Sequence, residues 1–524
     1  MTGKALLRRC GPPLFGVLVL VFLFVEPDKA PALWYDEGWT LAQARNWVEH
    51  GHYGYYLLGE PVPPTIATRG LPAVAPIAAS FRLFGIGLPQ GRLPGRLFML
   101  GALAALWYLG ARVYGRRAAW ATLLVAILCA WIPDVNPVWH GRQVWAEGPM
   151  LFYLLVGYVL FLTGFDRPAL WPLAWLFWGL TLRTKPQVTP FFAVALLVPL
   201  LWSLSRGYRR QSVAFGLGLG GAVGASTLLS LVETKAVGFW ESEVWASGAV
   251  RVVSNADLLR TYVFVSAPHV RANAMLILGI VGLPLVVGVS SAIPKWLASW
   301  REERTFVPTD WVELSLWCFS ASWLAWYALL AIAWPRYLFP AWLVGSLYAG
   351  EFVAKTTRGV GLPDLVRRAF EPLRSRQGWG KGGAAFLVLV VLPAMTLLTA
   401  YGTVNMAREE QTSESAYELA RWLGEHASED AVVETMDSEL VFVLDERIHY
   451  PPDEIPHLLN RRLFLGEEVE VAYDPLQADP DYLVVGQFGR MWGLYGDAIV
   501  GEELRLQETI GPYQIYAQTR EVMQ

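Results

Sequence analysis

Two adjacent carboxylates, Asp36 and Glu37, stand near the start of the chain in the sequence Leu-Trp-Tyr-Asp-Glu-Gly-Trp. Carboxylates act as general bases and as oxygen ligands for divalent cations, so this pair is a candidate for catalysis. An apolar run, 14–25, precedes the pair, and aromatic neighbours keep both charges close to lipid, where a charge without a function is costly. A plainer interpretation stays open, in which Asp36 caps the following helix and Glu37 lies in its first turn.

Other charged side chains stand at the ends of later apolar runs, on the side of the membrane that we predict to be the outer one. They are Asp134, His140, Arg142 and Glu147 in one connection, Arg183 and Lys185 in a second, and Arg336 in a third. Cations fixed in such short connections would bind the phosphate of an anionic lipid. The alternative, that each basic residue only extends to the lipid head groups, also stays open.

The composition predicts the elements that hold these residues. Hydrophobic residues make up 54% of the 524 positions, charged residues make up 17%, and the mean hydropathy is +0.35, which is typical of a polytopic α-helical membrane protein. No nucleic-acid partner is expected. A cleaved signal peptide is a competing interpretation of the first run, since 30–32 reads Ala-Pro-Ala, but many more runs follow and Pro31 does not suit a cleavage site.

About eleven apolar runs are long enough, or nearly so, to cross a bilayer as helices. They fall at about 11–26, 97–115, 118–133, 148–165, 169–183, 188–204, 212–232, 272–291, 312–334, 338–354 and 384–402. Basic residues are concentrated in connections such as 112–117, 206–210 and 355–381, which the positive-inside bias assigns to the cytoplasm. With the N-terminus also inside, an odd number of spans puts the C-terminus outside the cytoplasm.

The long outer connections are predicted to hold the active site. In the first, 27–96, the apolar spacing over 40–50 predicts an amphipathic helix along the outer interface, with an interfacial belt of aromatic side chains. The belt would comprise Trp34, Tyr35, Trp39, Trp47, Tyr53, Tyr55 and Tyr56. The second, 233–271, is predicted to close over the carrier or the acceptor.

The tail, 404–524, differs sharply from the membrane part, 1–403. It carries 25 acidic and 8 basic residues, whereas the membrane part carries 20 acidic and 34 basic ones. Helix and strand patterns alternate along the tail at 415–426, 431–435, 482–485 and 513–517. They predict a small, soluble, extracytoplasmic α/β domain. At about 120 residues, the tail is long enough to bury a core of its own.

Short stretches in order over about 13–350 together resemble the C-type glycosyltransferases of family 39, the group with the protein O-mannosyltransferases and the aminoarabinose transferase acting on lipid A. The stretches are Tyr-Asp-Glu-Gly at 35–38 with Ala-Arg-Asn at 44–46, Thr-Arg-Gly-Leu-Pro at 68–72 with Phe-Arg-Leu-Phe-Gly at 81–85, Tyr-Gly-Arg-Arg-Ala-Ala at 114–119, Gly-Arg at 141–142 with Glu-Gly-Pro at 147–149, Leu-Arg-Thr-Lys-Pro at 182–186, and Arg-Tyr-Leu-Phe-Pro at 336–340. The resemblance implies the GT-C membrane fold.

Two departures from the family keep the acceptor open. The first loop of the aminoarabinose enzymes carries a Glu-Lys-Pro element, whereas 60–64 reads Glu-Pro-Val-Pro-Pro here. The large lumenal module of eukaryotic protein mannosyltransferases has no counterpart in this sequence. The resemblance therefore implies a reaction type but not an acceptor.

The implied reaction moves a sugar from a polyprenyl-phosphate carrier in the bilayer to an acceptor hydroxyl of a protein, lipid or glycan on the outer face. Asp36 would be the base of an inverting displacement, and Glu37 would help to orient the acceptor. The departing phosphate would be bound by Lys185, Arg183, Arg336 and Arg142. The acceptor side would include Glu147, Asp134, Arg69 and His140.

Other interpretations stay open. A divalent cation such as Mg, Mn or Zn, held by Asp36, Asp134 and Glu147, is an option that no residue spacing requires. An oligosaccharide polymerase or ligase would depend on outer arginines and histidines such as His269 in place of a first-loop Asp-Glu pair. A transporter of lipid-linked glycans would need charges at mid-membrane and broken helices in paired halves, and the sequence displays neither pattern.

Overall fold

The computed structural model describes residues 3–26, 29–62, 70–236, 263–265, 267–301, 305–370, 379–408, 413–444, 447–500 and 504–518. Arg69 and most of the long connection 233–271 lie outside this part of the chain.

Up to 408, the described chain is almost entirely helical, with one short hairpin. The helices are α1 (Gly3–Phe24), α2 (Tyr35–Glu49), α3 (Leu71–Phe84), α4 (Leu88–Val113), α5 (Arg116–Leu128), α6 (Pro137–Gly141), α7 (Glu147–Gly164), α8 (Trp171–Thr184), α9 (Thr189–Ser205), α10 (Arg209–Ala236), α11 (Pro268–Ile280), α12 (Leu283–Ser291), α13 (Ile293–Arg301), α14 (Pro308–Leu329), α15 (Phe339–Thr356), α16 (Leu362–Phe370), α17 (Trp379–Phe386) and α18 (Leu392–Arg408). The hairpin strands are β1 (Tyr55–Leu57) and β2 (Glu60–Val62).

Five described helical segments are long and apolar enough to cross a membrane, and a sixth results if the bent unit of α11 with α12 and α13 counts as one span. The five are Leu88–Val113, Glu147–Gly164, Pro186–Ser205, Arg209–Glu233 and Gly382–Asn405. Other predicted spans are shorter, since α5 has 13 residues and α8 has 14, whereas about 20 residues cross the hydrocarbon core. The count of about eleven spans therefore stays a prediction.

Prolines and a helix cap set the helix boundaries beside the charged candidate residues. Lys185 has an extended backbone, with φ −146° and ψ 95°, and Pro186 follows it, so α8 ends just before Lys185. Pro335 opens the single 3₁₀ turn Pro335–Leu338, which places Arg336 just before α15. At the start of α2, a carboxylate oxygen of Glu37 accepts the N–H of Trp34 at 3.3 Å, as in a capping box.

Buried tryptophans help to hold the helices of the membrane part together, and two of them donate the ring N–H to a backbone carbonyl of a neighbouring segment. Trp178 donates to the carbonyl of Leu154 at 3.3 Å. Trp323 on α14 donates to the carbonyl of Tyr337 at 2.7 Å. This bond ties the turn that carries Arg336 to the core of the bundle.

The tail contains a five-stranded mixed sheet with strand order β4-β3-β5-β7-β6. Its strands are β3 (Val433–Thr435), β4 (Ile448–His449), β5 (Tyr482–Val485), β6 (Leu504–Ile510) and β7 (Tyr513–Gln518), and its helices are α19 (Glu414–His426), α20 (Val441–Leu444), α21 (Glu454–Leu465), α22 (Gln487–Trp492) and α23 (Gly496–Val500). Strands β4, β3 and β5 are parallel, and β7 and β6 add antiparallel to β5. The elements predicted at 415–426, 431–435, 482–485 and 513–517 are all present within two residues of their expected bounds.

The apolar core of the tail is continuous with helices that the sequence interpretation assigned to the membrane part. Leu41 of α2, Phe81 of α3 and Leu440 of the tail belong to one continuous apolar core. Every residue of α2 from Asp36 to Asn46 is buried, because the tail covers one side of the helix and α3 packs against another.

The helix predicted over 40–50 is present within α2, but Trp39, Tyr53 and Tyr55 of the predicted aromatic belt are buried inside the protein. Trp39 packs edge-on against Tyr55 and Tyr450, with ring centres 4.5 and 4.8 Å away. Tyr53 and Tyr55 are buried as well. These aromatic side chains fill the contact between α2 and the tail, because the tail covers a surface that the sequence alone assigned to lipid head groups.

Candidate active site

Asp36 forms an ion pair with Arg336, although 300 residues separate them in the chain. Both side chains are largely buried, with 11% and 16% of their surface exposed. The guanidinium of Arg336 also lies over the rings of Trp334 and Tyr337, 4.9 and 5.4 Å from their centres. Its Nε is buried and has no hydrogen-bond partner among the described residues, so Arg336 keeps one donor for a ligand.

A second ion pair, between Lys185 and Glu147, lies beside the first. The ammonium of Lys185 is 5.4 Å from the centre of the Tyr337 ring, the same ring that the Arg336 guanidinium contacts. One aromatic ring therefore lies against both cations, which come from the ends of different helices.

His140 and Asp134 complete the group. The His140 ring stacks on Phe339 with a 3.8 Å centre distance, and its Nε2 is 4.0 Å from a carboxylate oxygen of Glu147. The other ring nitrogen, Nδ1, is 3.2 Å from the backbone carbonyl of Asp134. The Asp134 carboxyl is close enough to interact electrostatically with Arg336 and Glu147. We call these six residues the mouth cluster: Asp36, Asp134, His140, Glu147, Lys185 and Arg336.

The mouth cluster can bind an anion and can accept a proton. Each of its two cations already faces a carboxylate, so an incoming phosphate can replace Asp36 at Arg336 and Glu147 at Lys185 without leaving a buried charge unpaired. A carboxylate released in this way is then available as a base.

Glu37 does not share the mouth cluster, which corrects its expected role in orienting the acceptor. Its side chain is fully buried and forms a two-pronged ion pair with Arg92, with both nitrogen–oxygen distances at 2.7 Å. It also accepts the backbone N–H of Val144 at 3.1 Å. These bonds join α2, α4 and the segment before α7, and the same carboxylate caps α2 at the N–H of Trp34.

Arg142 is also a structural residue and not a phosphate ligand. Its three guanidinium nitrogens donate to the backbone carbonyls of Ala30, Phe22 and Glu26 at 2.8, 2.5 and 2.9 Å. The side chain therefore fixes the end of α1 and the segment that follows it, and each guanidinium nitrogen is bonded to a backbone carbonyl. The sequence cannot distinguish an arginine that binds a ligand from one that binds backbone carbonyls, because both stand in the same kind of short connection.

Arg183 pairs with Glu233 at the end of α10. Glu233 also accepts the N–H of Leu71 at 3.1 Å, so this pair holds the start of α3 against α8 and α10. The sequence interpretation placed Arg183 and Lys185 together, but only Lys185 has its charge at the mouth cluster.

A metal site made of Asp36, Asp134 and Glu147 is not supported. No group of three or more His, Cys, Asp or Glu side chains in the described part of the chain is placed to hold a metal ion. Arg336 and Lys185 already neutralise the charges of Asp36 and Glu147.

Several residues of the site were not predicted from the sequence. Arg92 is one, although a lone charge at the start of an apolar helix is itself a signal of a buried partner. Tyr337, which contacts both cations, and Glu233 are two more. No sequence signal marks the tail residues that pack against α2, because they lie about 400 positions away along the chain.

Comparison with known proteins bears on the fold. No protein-family model matches the sequence, and no curated protein matches it. Two solved structures of ArnT from Cupriavidus metallidurans are similar over 97% of this chain and 98% of theirs, with 16% identity. The TM-score is 0.62 for ArnT bound to undecaprenyl phosphate and 0.54 for ArnT in the apo state.

The chain has the ArnT fold. ArnT is an aminoarabinose transferase of the GT-C group, so the fold that the family resemblance implies is confirmed. The similarity covers the tail as well as the membrane helices, since nearly all of both chains superpose.

Proposed function

We propose that this protein is an integral membrane glycosyltransferase that moves a sugar from a polyprenyl-phosphate carrier to an acceptor hydroxyl. The observation that carries the proposal is the ion pair of Asp36 with Arg336, which places a candidate base directly against a candidate phosphate ligand. The ArnT fold supports it, because a protein with that fold is seen with undecaprenyl phosphate bound.

Binding of the carrier begins the proposed reaction. Its phosphate contacts Arg336, including the spare Nε donor, and Lys185 on the other side of Tyr337. Charge-assisted bonds to a phosphate replace those to Asp36 and Glu147. The two cations thus stabilise the charge that develops on the leaving group as it departs.

The released Asp36 carboxylate then acts as the base. The acceptor oxygen attacks the anomeric carbon, the bond from that carbon to the phosphate oxygen breaks, and the acceptor proton passes to Asp36. Direct displacement inverts the anomeric centre, and the carrier leaves as polyprenyl phosphate. Glu147, Asp134 and His140 orient the acceptor in this scheme, and Arg69, which lies outside the described residues, is proposed for the same side.

We also propose that the mouth cluster and the tail, 404–524, lie on the extracytoplasmic side of about eleven spans in a cell membrane. The proposal rests on the basic connections predicted to lie inside. A reporter enzyme fused after Gln524 is then active outside the cytoplasm, and activity inside it would overturn this orientation.

Transfer by purified protein in nanodiscs tests the function. Asp36→Asn keeps the size of the side chain and removes its basicity, so turnover falls by about two to four orders of magnitude. Asp166→Asn, the same change at an exposed carboxylate, leaves turnover near the parental value. Near-parental turnover of Asp36→Asn in a normally folded preparation would refute Asp36 as the base.

The acceptor and the sugar are identified by comparing glycolipids and glycoproteins of a deletion strain with those of its parent. For an oligosaccharide polymerase or ligase, His269→Ala would abolish activity and Asp36→Ala would not. His269 is exposed, and its Nε2 lies 2.8 Å from the carbonyl of Phe464, a residue outside the mouth cluster.

A further inference from the structure

The tail meets the helix that carries Asp36 along one continuous contact. The hydroxyl of Ser438 donates to the backbone carbonyl of Tyr35 at 2.8 Å, and the hydroxyls of Tyr35 and Tyr450 are hydrogen-bonded to each other. About three turns further along α2, Arg45 donates to the carbonyl of Phe442 at 2.9 Å. We call 437–444 and 447–450 the docking segment.

Gly38 lies at the tightest point of this contact. A Cβ at this position would collide with the carbonyl oxygen of Ser438 and the Cα of Glu439. Both are backbone atoms, so no side-chain rotation can make room. Gly38 has an ordinary helical backbone, and the close approach of the tail, not backbone conformation, is what requires glycine after the Asp-Glu pair.

The tail side of the contact is rigid. Asp437, fully buried, accepts the backbone N–H groups of Gly486 and Phe488 at 2.7 Å each and of Gly489 at 3.3 Å. These three residues follow β5, and the ring of Phe488 packs against Tyr35 with a 4.9 Å centre distance. The docking segment is therefore fixed to the sheet at the point where it contacts α2.

We propose that the docking segment positions Asp36 for catalysis, with Ser438 and Tyr450 as positioning residues. This inference rests on the proposed function, because it takes Asp36 as the base. Arg336 holds the carboxylate of Asp36 from the membrane side, and the docking segment holds the backbone on either side of it, at Tyr35 and Gly38. A base must lie within hydrogen-bond reach of the acceptor proton, and a displacement of about 1 Å costs about 100-fold in rate.

Gly38→Ala tests the positioning role, because its methyl group must push α2 and the docking segment apart. We expect kcat to fall about 100-fold while KM for the prenyl-phosphate sugar stays within about threefold, since Lys185 and Arg336 are unchanged. The matched control is Gly224→Ala on α10, where a Cβ meets nothing within 4 Å, and it keeps parental kcat and KM. Parental kcat of Gly38→Ala would overturn the proposal.

Two gentler variants keep the test decisive if Gly38→Ala does not fold. Ser438→Ala and Tyr450→Phe each remove one hydroxyl, and we expect each to lower kcat about tenfold without changing KM. Hydrogen exchange at the amides of 38–41 should rise in both variants. Unchanged kcat in both would overturn the proposal.

The outcomes also separate this inference from the proposed function. An active Asp36→Asn protein would remove the base itself and with it the premise of the proposal. An inactive Asp36→Asn protein beside a fully active Gly38→Ala protein would refute the positioning role alone.

Discussion

The acidic side chains near the membrane and those of the tail sheet are stabilised in different ways. In the membrane part, each of four buried or half-buried carboxylates has a cation as its partner. The pairs are Asp36 with Arg336, Glu37 with Arg92, Glu147 with Lys185 and Glu233 with Arg183. In the tail, Asp437 accepts backbone N–H groups, and Glu439 accepts the hydroxyl of Tyr513 at 3.2 Å.

The difference separates two uses of a buried acid. In the mouth cluster, Asp36 at Arg336 and Glu147 at Lys185 can each be exchanged for another anion, so the cluster can accept a phosphate. A buried acid whose hydrogen-bond partners are backbone N–H groups or a hydroxyl is instead costly to ionise, and it serves to fix a backbone while it is neutral or fully hydrogen-bonded. The mouth cluster is thus suited to anion binding and proton transfer, and the buried acids of the tail are suited to holding the segment that contacts α2.

The largest effect we expect in a test of this comparison is on stability, at Glu37. Removing one partner of a buried ion pair leaves the other charge uncompensated, so Glu37→Gln should destabilise the protein by about 3 to 5 kcal/mol. Activity per folded molecule stays near the parental value, unlike that of Asp36→Asn. Thermal unfolding in detergent gives the stability, and transfer assays give the activity.

A double variant sharpens the result. Glu37→Gln combined with Arg92→Met leaves no unpaired charge, so it should recover part of the lost stability. Glu418→Gln, at an exposed position, serves as the control and should change stability by less than about 0.5 kcal/mol. A fully stable Glu37→Gln protein would contradict the structural role of this carboxylate.

The next effect in size concerns carrier binding at Lys185. Each charge-assisted contact contributes about 1.5 to 3 kcal/mol, so Lys185→Ala should weaken polyprenyl-phosphate binding about 10- to 150-fold. Lys355→Ala, at an exposed position in the membrane part, should leave binding unchanged. Equal affinity of Lys185→Ala and the parent for the carrier would require the phosphate to bind elsewhere.

The smallest effect is the pH dependence of the tail. Burial raises the pKa of Asp437 to about 6, against the opposing effect of three backbone N–H groups and of Arg490. Burial and the neighbouring Asp437 raise the pKa of Glu439 well above its ordinary value. The folded tail therefore holds more protons than the unfolded one, whose Asp titrates near pH 3.9.

The direction in which stability changes with pH follows from this difference in bound protons. The stabilising contribution of protonated Asp437 is complete below about pH 4 and is lost as the pH rises through 6. Asp437→Asn should flatten the fall in unfolding temperature between pH 4 and pH 6, relative to the parent. An identical pH profile in both proteins would mean that Asp437 does not titrate in this range.

The sequence predicted much of the helical architecture because apolar runs and prolines act locally. Asp36, Lys185 and Arg336 were singled out for the same kind of reason, since charges at the ends of apolar helices are costly without a use. The tail strands β5 and β7 were also predicted almost to the residue from alternating patterns.

The ion-pair and hydrogen-bond partners of the charged side chains could not be predicted, because these partners depend on distances between helix ends that no local pattern encodes. Arg142 and Arg336 each stand at a helix end in the sequence, yet one donates to backbone carbonyls and the other pairs with Asp36. Glu37 follows Asp36 directly in the chain, but a helix rotates successive side chains by about 100°. Glu37 therefore pairs with Arg92, whereas Asp36 pairs with Arg336.

By itself, the sequence determined that the protein is a helical membrane protein with an acidic carboxyl-terminal tail, and which charged residues are candidates for chemistry. The tertiary structure alone decided which charges meet, and that the tail shares one apolar core with α2. The reason is physical: hydropathy and helix ends are properties of neighbouring residues, whereas ion pairs and the contact at Gly38 arise only when distant segments pack together.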